Sequence, residues 1–464
     1  MSTNLFNPSD RRSYPSRWPL YRGKQLFRVI DNRSKNGMEE LLSVSHITGI
    51  TPRSQKNVTM FQTESLIGYK LCKAGDIVAN TMWTWQGAIG VSNYAGVVSP
   101  AYNVYRQNGE IYNPRYLDML LRERKLIDVY HSLSTGIRPS RLRLYPDVFL
   151  TICFPVPPKD EQDQIVRFLD WKISAINKLS NIYHHKIALL EEMKQQLIDS
   201  IIITGLHNSP IIHNENTRWD IDYPSHWKIQ RIRESFSFRK GLSITKANLE
   251  ESGVPVISYG QIHSKKNSGI GLNDELIRYV NESYLAVGEG AIVKKGDFIF
   301  ADTSEDIAGC GNCAFIDWDD AIFAGYHSII AHPNGTVNGK YLAYLFKSPT
   351  WRYQIRKKAN SVKVYSITQK MLKDAYILIP PTEEQAEIVD YLDTCCSRID
   401  VLIDRLESEI SCLRDLKIHL IADVVTGKID VRNIVIPDYE YVEENSSGES
   451  DTEDKVEETE TDEE

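Results

Sequence analysis

One phrase occurs twice in this 464-residue chain, and each time it opens a long amphipathic segment. Pro-x-x-Glu-Gln stands at Pro158–Gln162 and again at Pro381–Gln385. After each copy, apolar residues recur at strict intervals of seven: Leu169, Ile176, Tyr183, Leu190 and Leu197, then Leu392, Ile399, Leu406, Leu413 and Leu420. A sustained spacing of seven, with charged residues between, predicts the seam of a coiled-coil helix.

Both long segments also carry helix start and stop signals. Pro158 and Pro381 suit the beginning of a helix, and the acidic residues that follow them favour its first turn. Both segments close on Thr-Gly, at Gly205 and Gly427, and glycine commonly ends a helix. Each helix is predicted to run about 40 residues, or roughly 60 Å. The alternative, a helix packed only on its own module, is less favoured because a small domain cannot cover that length.

The segments that precede the two helices also resemble each other. The pentapeptide that ends at Trp18 matches the one that ends at Trp227, and Gly-Asp turns at Gly75 and Gly296 each lead into an apolar run. The chain therefore repeats one order, a module and then a long helix. The predicted boundaries are an N-terminal extension at 1–13, a first module at 14–157, a first helix at 158–205, a linker at 206–222, a second module at 223–380, a second helix at 381–427 and a C-terminal extension at 428–464.

Each module reads as a β-rich domain. Runs of β-branched and aromatic residues alternate with Gly, Pro, Asn and Ser, which predicts short strands in a loop-rich sheet. Short helical stretches are predicted at 116–129 and 340–358. The predicted fold class is therefore α+β, with two similar β-rich domains separated by a pair of long coiled-coil helices.

Charge is distributed unevenly along the chain. The net charge is −8, but residues 438–464 hold 14 acidic residues and one lysine, so the remaining chain carries +5. Residues 14–157 hold 18 basic and 10 acidic residues, and residues 223–381 hold 20 basic and 15 acidic ones. Two basic modules suit a polyanionic partner, although a solvated protein surface explains the charge equally well. The acidic tail is predicted to be disordered from its composition.

Together these features resemble the specificity subunit of type I restriction–modification enzymes, over about residues 14–430. The resemblance rests on the two Pro-x-x-Glu-Gln helix openings, the duplicated helices and the Gly-Asp turns. It implies two target-recognition domains, each of which reads one half of an asymmetric bipartite site in double-stranded DNA, with the helices as spacer. It also implies two methyltransferase (modification) subunits that use S-adenosylmethionine, and two restriction/translocation subunits that use ATP and Mg²⁺. The family offers no catalytic residue to place on this chain.

DNA symmetry independently favours an antiparallel helix pair. A duplex has a local two-fold axis perpendicular to its length, and a protein with two similar halves can share that axis. Helices exchanged by such a pseudo-two-fold run antiparallel, so their heptad rows can face each other. Half-sites one turn apart need a separation of roughly 34–36 Å, which helices of the predicted length can set.

Several function classes lack their sequence signals. The chain contains neither the Asn/Asp-Pro-Pro-aromatic tetrapeptide of amino-methyltransferases nor a phosphate-binding loop, since the segment at 335–340 is too short and is followed by Tyr341. No enzyme activity, cofactor or metal is therefore expected in this chain. The polar N-terminus, the lack of a long apolar stretch and the seven scattered cysteines favour the cytoplasm of a prokaryote.

A lone Cys-x-x-Cys pair lies at Cys310 and Cys313. Zinc would need two further ligands, and no second pair exists in the sequence. His327 and His332 could complete a site, but a loop that merely contains two thiols is the favoured interpretation.

Polar and basic residues in the variable loops are the candidates for DNA contact. Arg suits the acceptors of guanine, Gln and Asn suit the edge of adenine, and Lys suits phosphate. For any single residue, a solvated side chain remains the simpler explanation. The candidates are Arg53, Gln55, Lys56, Asn80, Trp85, Gln86, Arg138, Arg141, Tyr259, Gln261, His263, Lys265, Lys266, Tyr326, His327, Lys357, Lys358 and Lys363. Of Trp83 and Trp85, at least one is expected to pack in the core.

One alternative belongs to a different class of protein. A coiled-coil adaptor whose modules bind protein would share the helices and the acidic tail. The basic modules argue against this alternative. The tail is expected to act as a solubilising segment, with DNA mimicry or shielding of the basic modules as the second option.

Overall fold

The computed structural model of the chain describes residues 14–46, 48–55, 65–136, 142–214, 219–335, 337–361 and 364–444. Two compact units form. Unit 1 comprises residues 1–184 and 407–464, and unit 2 comprises residues 185–406. Each long helix therefore contributes one half to each unit. Within the described residues, no helix combines the length and the apolar content that a membrane crossing requires.

Unit 1 contains the first module. Its strands are β1 (Leu20–Arg22), β2 (Phe27–Ile30), β3 (Leu42–Ser45), β4 (Gly49–Pro52), β5 (Lys70–Cys72), β6 (Ile77–Ala79), β7 (Ile89–Val91), β8 (Gly96–Val98), β9 (Asn103–Gln107) and β10 (Cys153–Pro155). Its helices are α1 (Gly23–Leu26), α2 (Pro114–Leu121), α3 (Arg124–Leu133), α4 (Pro146–Phe149) and the first half of α5 (Lys159–Thr204).

Unit 2 contains the second module. Its strands are β11 (Ile211–His213), β12 (Asp222–Pro224), β13 (Lys228–Arg231), β14 (Phe236–Lys240), β15 (Leu249–Glu250), β16 (Val254–Ile257), β17 (Arg278–Val280), β18 (Ile292–Val293), β19 (Phe298–Ala301), β20 (Thr303–Ser304), β21 (Cys313–Phe315), β22 (Ile322–Ala324), β23 (Ser328–Pro333), β24 (Asn360–Ser361), β25 (Tyr365–Ser366) and β26 (Tyr376–Ile379). Its helices are α6 (Tyr259–Ile262), α7 (Tyr284–Val287), α8 (Gly339–Lys347), α9 (Pro349–Arg356), α10 (Gln369–Lys373) and the first half of α11 (Thr382–Val425).

The two modules share one sheet topology. An antiparallel sheet of order β2-β9-β6-β7 in unit 1 corresponds to β14-β23-β19-β21 in unit 2. The pair β1-β10 corresponds to β13-β26. The predicted helical stretches are also present, as α2 with α3 and as α8 with α9. The predicted duplication of an α+β module is therefore confirmed, although the two sequences differ at most positions.

The Gly-Asp turn has the same structural role in both modules. Gly75 has φ +88° and Gly296 has φ +92°, a region that favours glycine. The buried carboxylate of Asp76 accepts from Lys73 N and from both Nε and Nη2 of Arg106, at 2.6 and 2.7 Å. Asp297 likewise accepts from Lys294 N, and it contacts His332 Nδ1 at 2.6 Å. In both modules the aspartate of the turn is buried, and its carboxylate binds a side chain of a neighbouring strand.

The long helices α5 and α11 run antiparallel within each unit. In unit 1, Asn177 contacts Lys417, while Leu169, nearer the start of α5, shares a buried cluster with Val424. In unit 2, Lys194 contacts Asp400, and Ile198 shares a buried cluster with Leu392. Numbering thus rises on one helix as it falls on the other. The predicted helices at 158–205 and 381–427 are confirmed with bounds two residues or fewer from those expected.

The predicted heptad row faces inward along both helices. Leu169 and Leu392 are fully buried. The other eight members are all partly buried, which is usual for a two-stranded seam: Ile176, Tyr183, Leu190, Leu197, Ile399, Leu406, Leu413 and Leu420.

The repeated Glu of the helix opening fastens each helix to its module. In unit 1 the carboxylate of Glu161 accepts from the indole N–H of Trp18 at 3.0 Å and from Arg17 at 2.5 Å. In unit 2 the carboxylate of Glu384 accepts from the indole N–H of Trp227 at 3.0 Å. Both carboxylates are buried. The hydrogen bond from each tryptophan replaces part of the hydration that the carboxylate loses on burial.

The repeated Gln makes a second attachment. Gln162 accepts from Asn113 N at 2.7 Å, and Gln385 accepts from Asn338 N at 2.8 Å. Asn113 caps α2 and Asn338 caps α8, so each Gln joins the long helix to the start of a module helix.

The terminal glycine of the other long helix completes each junction. Gly427, at the end of α11, lies against Pro15 and Trp18 in unit 1. Gly205, at the end of α5, lies against Trp227 and Glu384 in unit 2. The Pro-x-x-Glu-Gln motif occurs twice because each unit contains the same junction. At that junction the beginning of one long helix, the end of the other and the first tryptophan of a module meet.

The C-terminal extension corrects one prediction. Residues 438–444, expected to be disordered, follow a defined extended path along α5. Side chains of the helix bind the backbone of this segment, for example Ser174 Oγ to Glu440 O at 2.8 Å. The acidic composition of the segment could not predict these bonds, because the side chains that make them belong to α5. The rest of the predicted tail, 445–464, lies outside the described residues.

Candidate nucleic-acid interface

In unit 2, four loops meet at one end of the sheet. The loop after β19 begins with Asp302, and β20 within it pairs with β25, so the segments at 302–306 and 365–366 are adjacent. Ile367 N donates to Asp302 O at 2.7 Å. The loop at 325–327 joins the same edge through Asp302 N, which donates to His327 O at 3.1 Å. Helix α6, from the fourth loop, packs on this end through Tyr259.

An aromatic and imidazole cluster stands at this end of unit 2. The ring of Tyr259 lies 5.5 Å from the rings of both Tyr326 and His327, edge-on in each case. His263 Nε2 contacts Thr303 O at 2.8 Å, and its Nδ1 lies 3.2 Å from Asn312 Nδ2. Desolvation, with Tyr259 as a second cause, raises the pKa of Tyr326.

His327 adopts an unusual backbone conformation. Its φ is +54°, and it is the one non-glycine residue with positive φ in the described part of the chain. Such conformations persist where the surroundings hold them. His327 Nδ1 contacts Asp302 Oδ1 at 3.1 Å, and the side chain remains exposed. The turn therefore presents an imidazole outward from the end of the sheet.

In unit 1 the equivalent loops meet in the same way. Leu144 N donates to Thr81 O at 3.1 Å, which matches the bond from Ile367 to Asp302 in unit 2. Thr81 Oγ1 donates to Ala101 O at 2.5 Å and so ties in the loop before β9. The loop scaffold is thus shared by both units, while the side chains that it presents differ.

Two tryptophans dominate the loop after β6. Trp83 and Trp85 stack at 6.2 Å on a short 3₁₀ turn. Trp83 packs against a buried cluster that includes Val78 and Val104, so the expectation that one of the pair serves the core is confirmed. Trp85 is half-buried, and its indole N–H donates to Met82 O at 2.6 Å.

Asn80 was predicted to contact DNA, but the structure assigns it an internal role. Its side chain is 5% exposed, and its amide oxygen accepts from Met82 N at 3.2 Å. The sequence prediction treated a polar residue in a loop as exposed, whereas this amide stabilises the turn that follows β6. Gln261 is also occupied locally, because its side chain caps α6 through Ser258 N at 3.1 Å.

The remaining candidates lie around the loop ends with varied surroundings. Arg53 lies in the short turn after β4 and is partly exposed, and Gln55 in the same turn and Gln86 are exposed. Lys265 is exposed, while Lys266 pairs with Glu275. Lys357 and Lys358 follow α9, where the Lys357 ammonium lies 5.9 Å from the Tyr353 ring. Four candidates lie outside the described residues or in a segment whose side chains are not described: Lys56, Arg138, Arg141 and Lys363.

The Cys-x-x-Cys pair is not joined by the two histidines considered with it. Cys310 and Cys313 are buried, whereas His332 contacts Asp297 and His327 contacts Asp302. Among the described residues, no group of three or more His, Cys, Asp or Glu side chains is placed to hold a metal ion. Asn312, between the two cysteines, was overlooked as a loop residue, although its contact with His263 places it in the cluster.

Two sequence comparisons agree with this architecture. A family model described as "Type I restriction modification DNA specificity domain" matches residues 224–410. The MjaVIII specificity subunit of Methanocaldococcus jannaschii is 23% identical over 343 residues, which cover 73% of this chain and 76% of that relative. The EcoKI specificity subunit of Escherichia coli K12 is 23% identical over 313 residues, which cover 64% of this chain and 62% of that relative.

A solved structure shares the fold. A chain from a study of complex assembly and conformational transition of the type I R-M system aligns with a TM-score of 0.62 at 16% identity. The alignment covers 90% of this chain and 99% of that one.

The specificity-domain model matches the second module and the first part of α11. With a first module of the same topology, also fastened to both long helices, this is the architecture of a DNA-specificity subunit. In sequence and in fold, the chain is similar to the specificity subunits of type I restriction–modification systems. The adaptor alternative is not favoured by these findings.

Proposed function

We propose that each module of this chain reads one half of an asymmetric bipartite site in double-stranded DNA, and that the loop ends of the two sheets make the base contacts. The observation that carries this proposal is the shared scaffold with unlike side chains. The bond from Leu144 to Thr81 in unit 1 matches the bond from Ile367 to Asp302 in unit 2. A stacked tryptophan pair occupies one loop end, and a tyrosine–imidazole cluster occupies the other. Unlike reading surfaces select unlike half-sites.

In this proposal α5 and α11 set the distance between the half-sites and bind two methyltransferase subunits. Two restriction/translocation subunits join the same complex. In this proposal the chain is a non-catalytic subunit, so S-adenosylmethionine would be bound by the methyltransferase subunits, and ATP with Mg²⁺ by the restriction subunits. The chain would act in the cytoplasm of a prokaryote, where its DNA substrate lies.

The test uses the full chain with its methyltransferase subunits and maps methylated adenines on random duplexes. Tyr326→Ala with His327→Ala should relax the sequence preference in one half-site only. Gln86→Ala changes an exposed residue in the loop after β6 of the first module, and this matched variant should affect only the other half. A single-base discrimination is worth about 1–3 kcal/mol, so preference at the affected positions should fall roughly 5- to 150-fold.

A result in which either variant altered both half-sites would contradict the proposal. So would an absence of any sequence preference in the complex of the unmodified chain. Insertion of four residues, about one helical turn, into α5 and into α11 should change the gap and leave both half-sites as they were.

Phosphate contacts need a different measurement. Lys265→Ala should weaken binding to all sequences alike, and should reduce the slope of log K against log salt by about 0.9 if the lysine contacts one phosphate. Lys295 is a suitable control because it pairs with Asp319 at 3.0 Å, away from the loop cluster.

A further inference from the structure

The segment at 438–444 is bound to one stripe of α5 through a series of hydrogen bonds. Ser174 Oγ donates to Glu440 O and accepts from Val442 N, both at 2.8 Å. One and two turns further along the helix, Asn177 Nδ2 donates to Val442 O at 3.0 Å and Asn181 Nδ2 to Glu443 O at 2.9 Å. All four bonds are made to backbone atoms of the segment, so the stripe recognises an extended backbone and not simply acidic side chains. We refer to residues 438–444 as the strap.

A lysine from the second helix binds the end of the strap. Lys417 Nζ donates to Glu444 Oε2 at 2.8 Å and to Asn177 Oδ1 at 3.1 Å. Asn177 therefore uses both ends of its amide, because the oxygen faces the lysine and the nitrogen faces the strap. No carboxylate could make this pair of bonds, since an ionised carboxylate only accepts.

The helix repeat provides an internal comparison. Lys417 corresponds to Lys194, and Asn177 corresponds to Asp400, at the spacing that relates the two helices. In unit 2 Lys194 Nζ pairs directly with Asp400, at 2.5 and 2.6 Å. The lysine is thus neutralised by its partner helix in unit 2 and by Glu444 of the strap in unit 1. The counterparts of Ser174 and Asn181 are Ser397 and Asp404, so the stripe on α11 offers carboxylates where α5 offers amides.

From this difference we infer that the stripe Ser174–Asn177–Asn181 of α5, together with Lys417, is a peptide-docking site for an extended acidic segment, and that the strap is its resident ligand. Asn177 selects the ligand, because only an amide satisfies both the lysine and the backbone carbonyl. A protein partner that binds this face of unit 1 must displace the strap. The face of α11 that carries Ser397, Asp400 and Asp404 lacks the amides and does not take the segment.

Proteolysis of the full-length chain tests the docking. Chymotrypsin cleaves after Tyr439 and Tyr441 only when the strap leaves the helix. Asn177→Asp introduces into unit 1 the aspartate that unit 2 has at the corresponding position, Asp400. The new carboxylate should pair with Lys417 as Asp400 pairs with Lys194, so the contact between the helices is kept. The strap loses the amide donor for Val442 O, and its acidic side chains meet a second negative charge. The cleavage rate at Tyr441 should rise about tenfold, the equivalent of 1.4 kcal/mol in the docking equilibrium.

Asp400→Asn is the matched control at the corresponding position, and it should leave the cleavage rate at Tyr441 unchanged. An unchanged rate in Asn177→Asp would overturn the inference. So would an equal rise in both variants, since that outcome would report general loosening of the helices. As a second measurement, a fluorescent peptide of residues 437–444 should bind a chain truncated after Pro437, and should bind the truncated chain with Asn177→Asp at least tenfold more weakly. Equal binding to both would also refute the assignment of Asn177.

Discussion

Gly427→Ala tests whether the end of α11 is packed against the first module as tightly as the junction suggests. Gly427 has φ +73°, and a Cβ there would lie 2.5 Å from Pro15 Cγ and 2.7 Å from Trp18 Cη2. Two costs therefore add. The left-handed backbone costs an alanine about 1–2 kcal/mol, and overpacking against two rigid rings costs about 1–3 kcal/mol.

Gly75→Ala separates these two costs. Gly75 lies in the same unit with φ +88°, but no atom lies within 4 Å of the position its Cβ would take. Only the backbone cost of about 1–2 kcal/mol applies there. The free energy of unfolding of Gly427→Ala should therefore fall below that of Gly75→Ala by about 1–3 kcal/mol.

Urea unfolding, followed by tryptophan fluorescence, measures this difference. With an m-value of about 2–3 kcal/mol per molar, the midpoint of Gly427→Ala should lie about 0.3–1.5 M below that of Gly75→Ala. Gly205→Ala in unit 2 should be milder, because the nearest atoms, Glu384 Oε1 and Trp227 Cζ2, lie at 3.0 Å. If Gly427→Ala and Gly75→Ala were equally destabilised, the helix end would not be packed on Trp18, and the account of the junction would be wrong.

Three further predictions follow from buried polar groups. Trp227→Phe removes the indole donor of the Glu384 carboxylate and should lower the free energy of unfolding by about 1.5–3 kcal/mol in urea, whereas Trp318→Phe, outside the junction, should cost less. Asp76→Asn leaves Arg106 without its charge partner and should cost about 3 kcal/mol, the lower end for a broken buried pair, because Arg106 is partly exposed; an unchanged thermal midpoint would contradict the anchoring role of the Gly-Asp turn. Burial, with Lys194 and Arg352 as further causes, lowers the pKa of Lys347 from 10.5 to about 8. Between about pH 8 and 10.5 the lysine is neutral in the folded chain and protonated in the unfolded chain. The free energy of unfolding should therefore rise with pH over this range, and Lys347→Met should flatten that rise.

Features with local causes were predictable from the sequence. A heptad repeat, a proline at one end and a glycine at the other define a helix without knowledge of its neighbours, so the bounds of α5 and α11 were found closely. The Gly-Asp turn is similar, because a glycine with positive φ and an aspartate that caps it need only four residues. Duplication added the order of the modules.

Several site residues were missed because their roles depend on burial or on distant partners. Asn80 was assigned to DNA from its residue type, but its side chain is buried and its amide closes a turn. Asn312 was judged only as part of a cysteine motif, and its contact with His263 arises because two loops meet at one end of the sheet. Ser174, Asn177 and Asn181 carry no signal in the sequence, since polar residues on an exposed helix face are ordinarily solvated.

The sequence by itself determined that this chain has two copies of a module and a long helix, because periodicity and turn chemistry are properties of neighbouring residues. Only the tertiary structure decided that Gly427 meets Trp18 and that one amide, Asn177, binds the strap. Those pairs are brought together by the order of strands and the antiparallel packing of the helices, and no short stretch of sequence encodes a contact between residues so far apart along the chain.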